Sequence, residues 1–204
     1  MKKLLLSVMA LLSLIVSSHA QAATTGYHVN DMASDFSLKN VDGKFVSMSD
    51  YKESKGIVLV FTCNHCPFSV AYEDRIIALH KAFAGKGFPV VAVNSNDAGA
   101  YPADSYEEMI VRSKEKKLPY VYLHDETQKY AKLYGAVKTP HVFVLKKVGG
   151  QFVVAYIGAI DDNSNEPELV KTKYVENALN SILKGEEVKP AFTKAVGCGI
   201  KWKQ

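Results

Sequence analysis

Continuous apolar runs alternate with amphipathic stretches along the chain, and this pattern predicts strands that alternate with helices. The apolar runs predict buried strands at 57–61, 89–93, 120–123 and 142–145. Apolar residues at helical spacing predict helices from the Cys-x-x-Cys motif to about 84, and at 105–117, 127–134 and 174–183. Turn signals predict a hairpin over 35–46 and a second one that joins 142–145 to 151–157. This order predicts an α/β protein with a mixed central sheet flanked by helices.

The first 22 residues have the composition of a secretory signal peptide. A basic start at Met1-Lys2-Lys3 precedes an apolar stretch over 4–16, and small residues follow up to Ala20 and Ala22. We expect cleavage after Ala20 or Ala22, which leaves one domain over 23–204 in the periplasm or outside the cell. An uncleaved membrane anchor is the alternative, but the apolar stretch is short for a membrane span. We therefore expect no stable membrane insertion after cleavage.

Charge and cysteine content narrow the function further. The chain has 25 basic and 21 acidic residues, and the basic ones are scattered, so we expect no nucleic-acid partner. The three cysteines are too few for a disulfide framework, and an odd count leaves one thiol over. An exported protein can nevertheless keep a disulfide. We expect no cofactor.

The motif Cys63-Asn64-His65-Cys66 lies where a predicted strand ends and a helix begins. A thiol at a helix N-terminus is acidic, because the unpaired N–H groups and the helix dipole stabilise its thiolate. Such a pair serves either disulfide exchange or metal ligation. A structural zinc site needs four ligands, and the sequence has neither a second Cys-x-x-Cys nor a closely spaced histidine pair. The motif therefore favours exchange.

The position of each residue in the motif predicts its role. We expect Cys63 near the helix N-cap, the more exposed of the two, as the attacking thiolate, and Cys66 in the first turn, the more buried, as the resolving thiol. A charged His65 beside Cys63 would lower the pKa of that thiol; otherwise His65 is an exposed loop residue. The predicted enzyme exchanges a Cys63–Cys66 disulfide with protein thiols or disulfides and with a redox partner protein that the sequence does not identify.

A strand, the Cys-x-x-Cys motif, a helix and then Thr139-Pro140 before a strand together resemble the thioredoxin fold. Four segments resemble the AhpC/TSA-type redoxins that carry a CNHCP motif: 61–68, 120–128, 134–140 and 197–202. The resemblance implies a thioredoxin-like fold with an N-terminal hairpin extension. It also implies that Pro140 follows a cis peptide bond and packs with Thr139 beside the redox cysteines; a trans proline that merely starts a strand is the alternative.

The chain departs from this group at several positions. Members often have a cysteine before Thr-Pro and an aspartate after it, where this chain has Lys138 and His141. These departures remove one resolving thiol and place two basic groups near the predicted site. Glu73 follows Cys66 by seven positions and thus shares its helix face. It is a weak candidate for a proton-handling carboxylate, and a solvated helix residue is the favoured interpretation.

Two other functions stay open. A peroxiredoxin-like thiol peroxidase needs a Thr or Ser three positions before its reactive cysteine, and an arginine near it. For Cys63 the residue at that position is Val60, and no motif places Arg75 or Arg112 at the site. A copper-binding thioredoxin-fold protein could use His65, His141 and two thiolates.

Cys198 is the third cysteine, and its role has two interpretations. It is either a third redox thiol that resolves a bond at Cys63 or a thiol with only packing value. Flanking residues Gly197 and Gly199 permit close backbone approach, which suits both interpretations.

Overall fold

The computed structural model describes residues 26–204, so the predicted signal peptide at 1–22 lies outside the described residues. The strands are β1 (Ser37–Asn40), β2 (Phe45–Ser47), β3 (Gly56–Thr62), β4 (Val90–Asn94), β5 (Val121–His124), β6 (Lys138–Thr139), β7 (His141–Val148), β8 (Gln151–Gly158) and β9 (Cys198–Gly199). The helices are α1 (Pro67–Phe83), α2 (Tyr106–Lys116), α3 (Lys129–Tyr134) and α4 (Tyr174–Lys184). Within 26–204, no helix has the length and apolar character that a membrane crossing requires.

Seven strands form one mixed sheet in the order β2-β1-β5-β4-β3-β7-β8. The three central strands β3, β4 and β5 run parallel, whereas β1 and β7 pair antiparallel with β5 and β3. The N-terminal hairpin therefore extends one edge of the sheet, and the hairpin of β7 and β8 extends the other. This arrangement confirms the predicted mixed sheet.

Strand β3 is buried on both faces, as its unbroken apolar run predicts. Its side chains alternate between two apolar cores: Val58 and Val60 pack with α1 and α4, whereas Ile57 and Leu59 pack with α3 and the N-terminal hairpin. Helices thus cover both faces, and the sheet holds the carboxyl end of β3 in a fixed position.

The helix ends follow the sequence signals. The Ser105 hydroxyl accepts a hydrogen bond from the Glu108 backbone N–H at 3.3 Å and caps α2. Gly135 and Gly185 adopt left-handed φ angles of 73° and 74° and end α3 and α4.

The sequence pattern did not predict β6 and β9. These two short strands pair antiparallel, with Thr139 opposite Cys198 and Lys138 opposite Gly199. Two residues are too few to show an alternating pattern. The pairing brings the C-terminal segment against the residues that precede Pro140.

Candidate active site

The candidate site lies at the carboxyl ends of the three parallel strands. Cys63 follows β3, Asn96 follows β4 by two positions, and Asp125 follows β5. Parallel strands end at the same edge of a sheet, so segments distant in sequence meet there. The other side of the site is formed by β6, Pro140 and β9.

Cys66, and not Cys63, is the N-cap residue of α1, and Pro67 occupies the first helical position. Proline suits this position because its missing N–H would have no partner in the helix. Cys66 is fully buried, as expected. Cys63 is more exposed than Cys66, as expected, but at 5% it is still buried, because it continues directly from the buried strand β3.

A disulfide joins Cys66 to Cys198, whose Cα atoms are 6.1 Å apart. Cys63 is therefore the free thiol. This pairing differs from the expected Cys63–Cys66 disulfide, because the strand pair of β6 and β9 places Cys198 opposite Thr139 and next to Cys66. Cys198 is thus bonded to Cys66 and not to Cys63, and its redox role stays a prediction.

The surroundings of Cys63 make its thiol a weak acid. Burial raises the pKa of Cys63, and the negative charge of Asp104 raises it further. Its Sγ lies 3.4 Å from the Thr139 hydroxyl and 3.8 Å from the Ser69 hydroxyl, and these contacts favour the thiolate without offsetting burial. The predicted lowering of this pKa is thus wrong in the oxidised structure.

His65 hydrogen-bonds a carboxylate, and among the described residues no hydrogen bond joins its ring to the Cys63 thiol. Its Nδ1 lies 2.5 Å from Asp104 Oδ2, and its ring stacks on Tyr101 with 5.1 Å between centroids. Asp104 thus competes for the imidazole that we expected to stabilise the Cys63 thiolate. A ring nitrogen of His65 nevertheless lies within 4.8 Å of Cys63 Sγ, and its role as the tuner of Cys63 stays a prediction.

The sequence did not reveal Asp104, the organising carboxylate of the site. Asp104 is fully buried, and its Oδ1 accepts the backbone N–H groups of Asn64 at 2.7 Å and His65 at 3.3 Å. Its Oδ2 also accepts from Asn96 Nδ2 at 2.7 Å. Asp104 thereby fixes the backbone between the two cysteines. A single aspartate in a polar loop carries no signal of this role.

The Thr139-Pro140 peptide bond is cis, as the family resemblance implies. Thr139 contacts both cysteines of the motif: its hydroxyl lies 3.4 Å from Cys63 Sγ, and its carbonyl oxygen lies 3.2 Å from Cys66 Sγ. Thr139 and Pro140 therefore form the wall of the site opposite α1.

His141 is not the basic group that its position suggested. Burial lowers the pKa of His141 to about 4, so the side chain is neutral at pH 7. It lines a groove of about 590 Å³, together with Tyr134, Val137 and Phe143. The groove is separate from the pocket that Cys63 lines.

A small cavity of about 10 Å³ connects Cys63 with Arg112 and Glu73. Arg112 Nε donates to Glu73 Oε2 at 2.8 Å, and Lys116 Nζ lies 3.1 Å from Glu73 Oε1. The Glu73 side chain is only 12% exposed, so the interpretation as a solvated helix residue is wrong. Arg112 Nη2 is buried without a hydrogen-bond partner among the described residues.

The expected copper-ligand set does not come together within residues 26–204. Cys66 is in a disulfide, and His141 lines the separate groove. Cys63, His65 and Asp104 do have potential ligand atoms within 4.8 Å of one another. The Asp104 oxygens, however, are already occupied by hydrogen bonds from the motif backbone and Asn96.

Comparison with known proteins agrees with this fold. The profile of the AhpC/TSA family matches residues 29–158. An uncharacterized conserved protein from Geobacillus kaustophilus superposes with a TM-score of 0.80 at 36% identity, over 86% of this chain and 93% of that one. The thioredoxin domain of a thiol-disulfide oxidoreductase from Bacteroides vulgatus superposes with a TM-score of 0.55 at 16% identity, over 78% of this chain and 99% of that one.

Among curated proteins, chloroplastic peroxiredoxin Q of Triticum aestivum is 30% identical over 150 residues. That alignment covers 66% of this chain but only 58% of the relative's length. The solved structures establish a thioredoxin fold. Since the family profile matches more than half of the sequence, the chain belongs to the AhpC/TSA family.

Proposed function

We propose that the protein is an exported thiol–disulfide oxidoreductase that exchanges a disulfide on Cys66 with protein thiols or disulfides. The observation that carries this proposal is the Cys66–Cys198 disulfide at the N-terminus of α1, beside the free thiol of Cys63. Cys66 takes the central role because it is the N-cap residue, where the helix dipole stabilises a thiolate.

The exchange proceeds in two steps that balance in atoms and electrons. In the reducing direction, the Cys66 thiolate attacks one sulfur of a substrate disulfide, and the other substrate sulfur leaves as a thiolate. The Cys198 thiolate then attacks Cys66 Sγ, releases the second substrate thiolate and re-forms the Cys66–Cys198 disulfide. The reverse sequence oxidises a substrate dithiol, and the relative reduction potentials decide the direction.

Cys63 serves as a second resolving thiol in this proposal. Its Sγ and that of Cys66 both contact Thr139, so a Cys63 thiolate can attack a mixed disulfide on Cys66 and form a Cys63–Cys66 bond. Because burial and Asp104 raise the pKa of Cys63, this route is slow at neutral pH and accelerates as the pH rises.

Trapping of mixed disulfides tests these assignments. If both Cys63 and Cys198 resolve, the double variant Cys63→Ser with Cys198→Ser accumulates substrate on Cys66, whereas each single variant accumulates less. Peptide mapping by mass spectrometry identifies the attached cysteine. If a Cys66→Ser variant accumulated more substrate mixed disulfide on Cys63 than the double variant accumulates on Cys66, Cys63 would be the cysteine that receives the substrate, and the assignment would be wrong.

Export is part of the proposal and rests on the N-terminal sequence. The mature protein should begin at Gln21 or Ala23, which follow the two predicted cleavage positions. The mass of the intact protein recovered from the periplasm or medium checks this. A full-length chain retained in the cytoplasm would overturn the export proposal and leave the exchange chemistry untouched.

A thiol peroxidase is the second candidate, and the shared cavity of Cys63 and Arg112 favours it. The Cys63 thiolate would attack one peroxide oxygen, gain it as a sulfenate and release water or an alcohol. The free N–H groups of Arg112 would stabilise the charge that develops on the peroxide.

Labelling of Cys63 sulfenate after addition of hydrogen peroxide tests the second candidate. Arg112→Met should slow sulfenate formation about tenfold or more, while Arg75→Met, which alters an arginine bound to Asp161, should not. A wild-type rate equal to that of a small-molecule thiol excludes peroxidase activity.

A further inference from the structure

Strand β6 has β9 as its strand partner in the two-stranded sheet of residues 26–204. Strand β6 ends at Thr139, the residue directly before Pro140, so the strand edge that β9 covers lies at the wall of the active site. A strand edge of this kind pairs with any extended segment through main-chain hydrogen bonds. The C-terminal segment holds this place in the oxidised protein.

The tail lies on this edge as a cysteine-containing peptide would. Cys198 stands opposite Thr139, its sulfur is bonded to Cys66, and the Ile200 N–H donates to the Val137 carbonyl at 3.2 Å. The strand is therefore arranged like a docked substrate joined to the enzyme by a mixed disulfide.

The residue before the cysteine has no room for a side chain. A Cβ atom at Gly197 would lie 2.2 Å from the Thr139 carbonyl oxygen and 2.7 Å from its carbonyl carbon. These are backbone atoms of β6, which cannot rotate away. Gly199, on the other side of the cysteine, would meet nothing within 4 Å. The edge is thus selective at one of the two neighbouring positions.

We propose that β9 occupies the strand edge at which the substrate binds, and that the substrate is an extended protein segment in which glycine directly precedes the reactive cysteine. The proposal rests on the thiol–disulfide exchange proposed above. A protein dithiol first reduces the Cys66–Cys198 bond and becomes a disulfide itself; the tail then leaves, and the substrate segment pairs with β6. The Cys66 thiolate then attacks the substrate cysteine, the substrate disulfide breaks, and its other sulfur leaves as a thiolate.

The test uses the full chain with Cys63→Ser and Cys198→Ser, in which Cys66 is the remaining thiol. The probe is the hexapeptide Ala-Val-Gly-Cys-Gly-Ile, which copies residues 195–200, activated as a mixed disulfide with thionitrobenzoate. Attack by Cys66 on the peptide sulfur releases coloured thionitrobenzoate. Two control peptides carry alanine in place of the first or of the second glycine, and N-acetylcysteine gives the intrinsic reactivity of each probe.

We expect alanine before the cysteine to slow release about tenfold or more, as overpacking against fixed backbone does. Alanine after the cysteine should leave the rate within about twofold, because that position is open. If the protein reacted with all three peptides at equal rates, and faster than N-acetylcysteine does, this inference would be overturned and the proposed exchange would stay intact. Rates no higher than those with N-acetylcysteine would contradict both.

A second measurement retains every cysteine and so does not depend on the folding of the double variant. In the wild-type background, Gly197→Ala should make the Cys66–Cys198 disulfide about tenfold easier to reduce, which equals a shift of about 30 mV. The matched variant Gly199→Ala should leave the equilibrium in a dithiothreitol buffer unchanged. Equal effects of the two variants would count against the inference.

Discussion

At the scale of single residues, one buried carboxylate fixes the shape of the site and adds to the effect of burial on the acidity of Cys63. Asp104 accepts the backbone N–H groups of Asn64 and His65, and thereby fixes the segment between the two motif cysteines. The same carboxylate disfavours a thiolate at Cys63. Burial and this structural hydrogen-bond acceptor together raise the pKa of Cys63 and so disfavour its thiolate at neutral pH.

Asp104→Asn should lower the pKa of Cys63, because the substitution removes the negative charge and leaves the burial in place. In the oxidised protein Cys63 is the free thiol, so its alkylation by iodoacetamide as a function of pH reports this pKa directly. Asp97→Asn is the control, since it alters a nearby carboxylate that is absent from the causes of the shift. An unchanged or raised pKa in Asp104→Asn would refute the charge argument.

The sequence identified the residues of the site better than their contacts. Cys63, Cys66, Thr139 and Pro140 do meet in space. The strand-to-helix position is a local signal for the two cysteines, whereas the place of Thr139 and Pro140 beside them was implied by the family resemblance. The partner of Cys66 depends on a segment 132 positions away, and periodicity carries no information about such a pairing.

At the scale of secondary-structure elements, the tail is held by a short strand pair and by two buried amide side chains. Gln128 Nε2 donates to the Lys201 carbonyl oxygen at 2.7 Å, and Gln128 Oε1 accepts from the Lys203 N–H at 2.8 Å. Asn96 Oδ1 adds a third bond, from the Lys201 N–H at 2.9 Å. The loops after β4 and β5 therefore hold the end of the tail while Cys66 holds its middle.

Gln128→Met should make the Cys66–Cys198 disulfide about tenfold easier to reduce, because the loss of tail hydrogen bonds lowers the effective concentration of Cys198. Methionine keeps the length of the side chain. Gln128 has a left-handed φ angle of 60°, which methionine adopts about as well as glutamine does. The disulfide equilibrium in a dithiothreitol redox buffer measures the effect. Gln151→Met, on an exposed residue of β8, serves as the control, and an equal shift there would contradict the anchoring role.

The long strands and helices were predictable, and the two-residue strands β6 and β9 were not. The unbroken apolar run of β3 and the helical spacing of α1 reflect burial over many residues, so their patterns are clear. Strands β6 and β9 form because a disulfide and a tail hold them together. Their stability comes from tertiary contacts, which leave no periodic trace in the sequence.

At the scale of the whole molecule, a buried neutral histidine makes folding sensitive to acid. Burial lowers the pKa of His141 to about 4, from about 6.5 in an unfolded chain. Between these pH values the unfolded chain binds a proton that the folded one does not. The contribution of His141 to stability is thus complete above pH 6.5 and is lost as the pH falls toward 4.

The free energy of unfolding should therefore lose about 3 kcal/mol from this residue between pH 6.5 and pH 4. Urea titrations of the wild type and of His141→Leu at several pH values measure it as the pH dependence of their difference. His28→Leu is the control, because the His28 side chain is 73% exposed. A difference between wild type and His141→Leu that stays constant with pH would disprove the assignment.

The bond between Cys66 and Cys198 also changes the topology of the chain. It closes a ring across a sequence separation of 132 residues, which takes in most of the sheet and all four helices. In the entropy model such a ring penalises the denatured ensemble by about 5 kcal/mol relative to the open chain. The oxidised protein should thus unfold at a higher temperature than the reduced protein. On a denaturing gel the oxidised chain, which contains the ring, should migrate faster than the open chain.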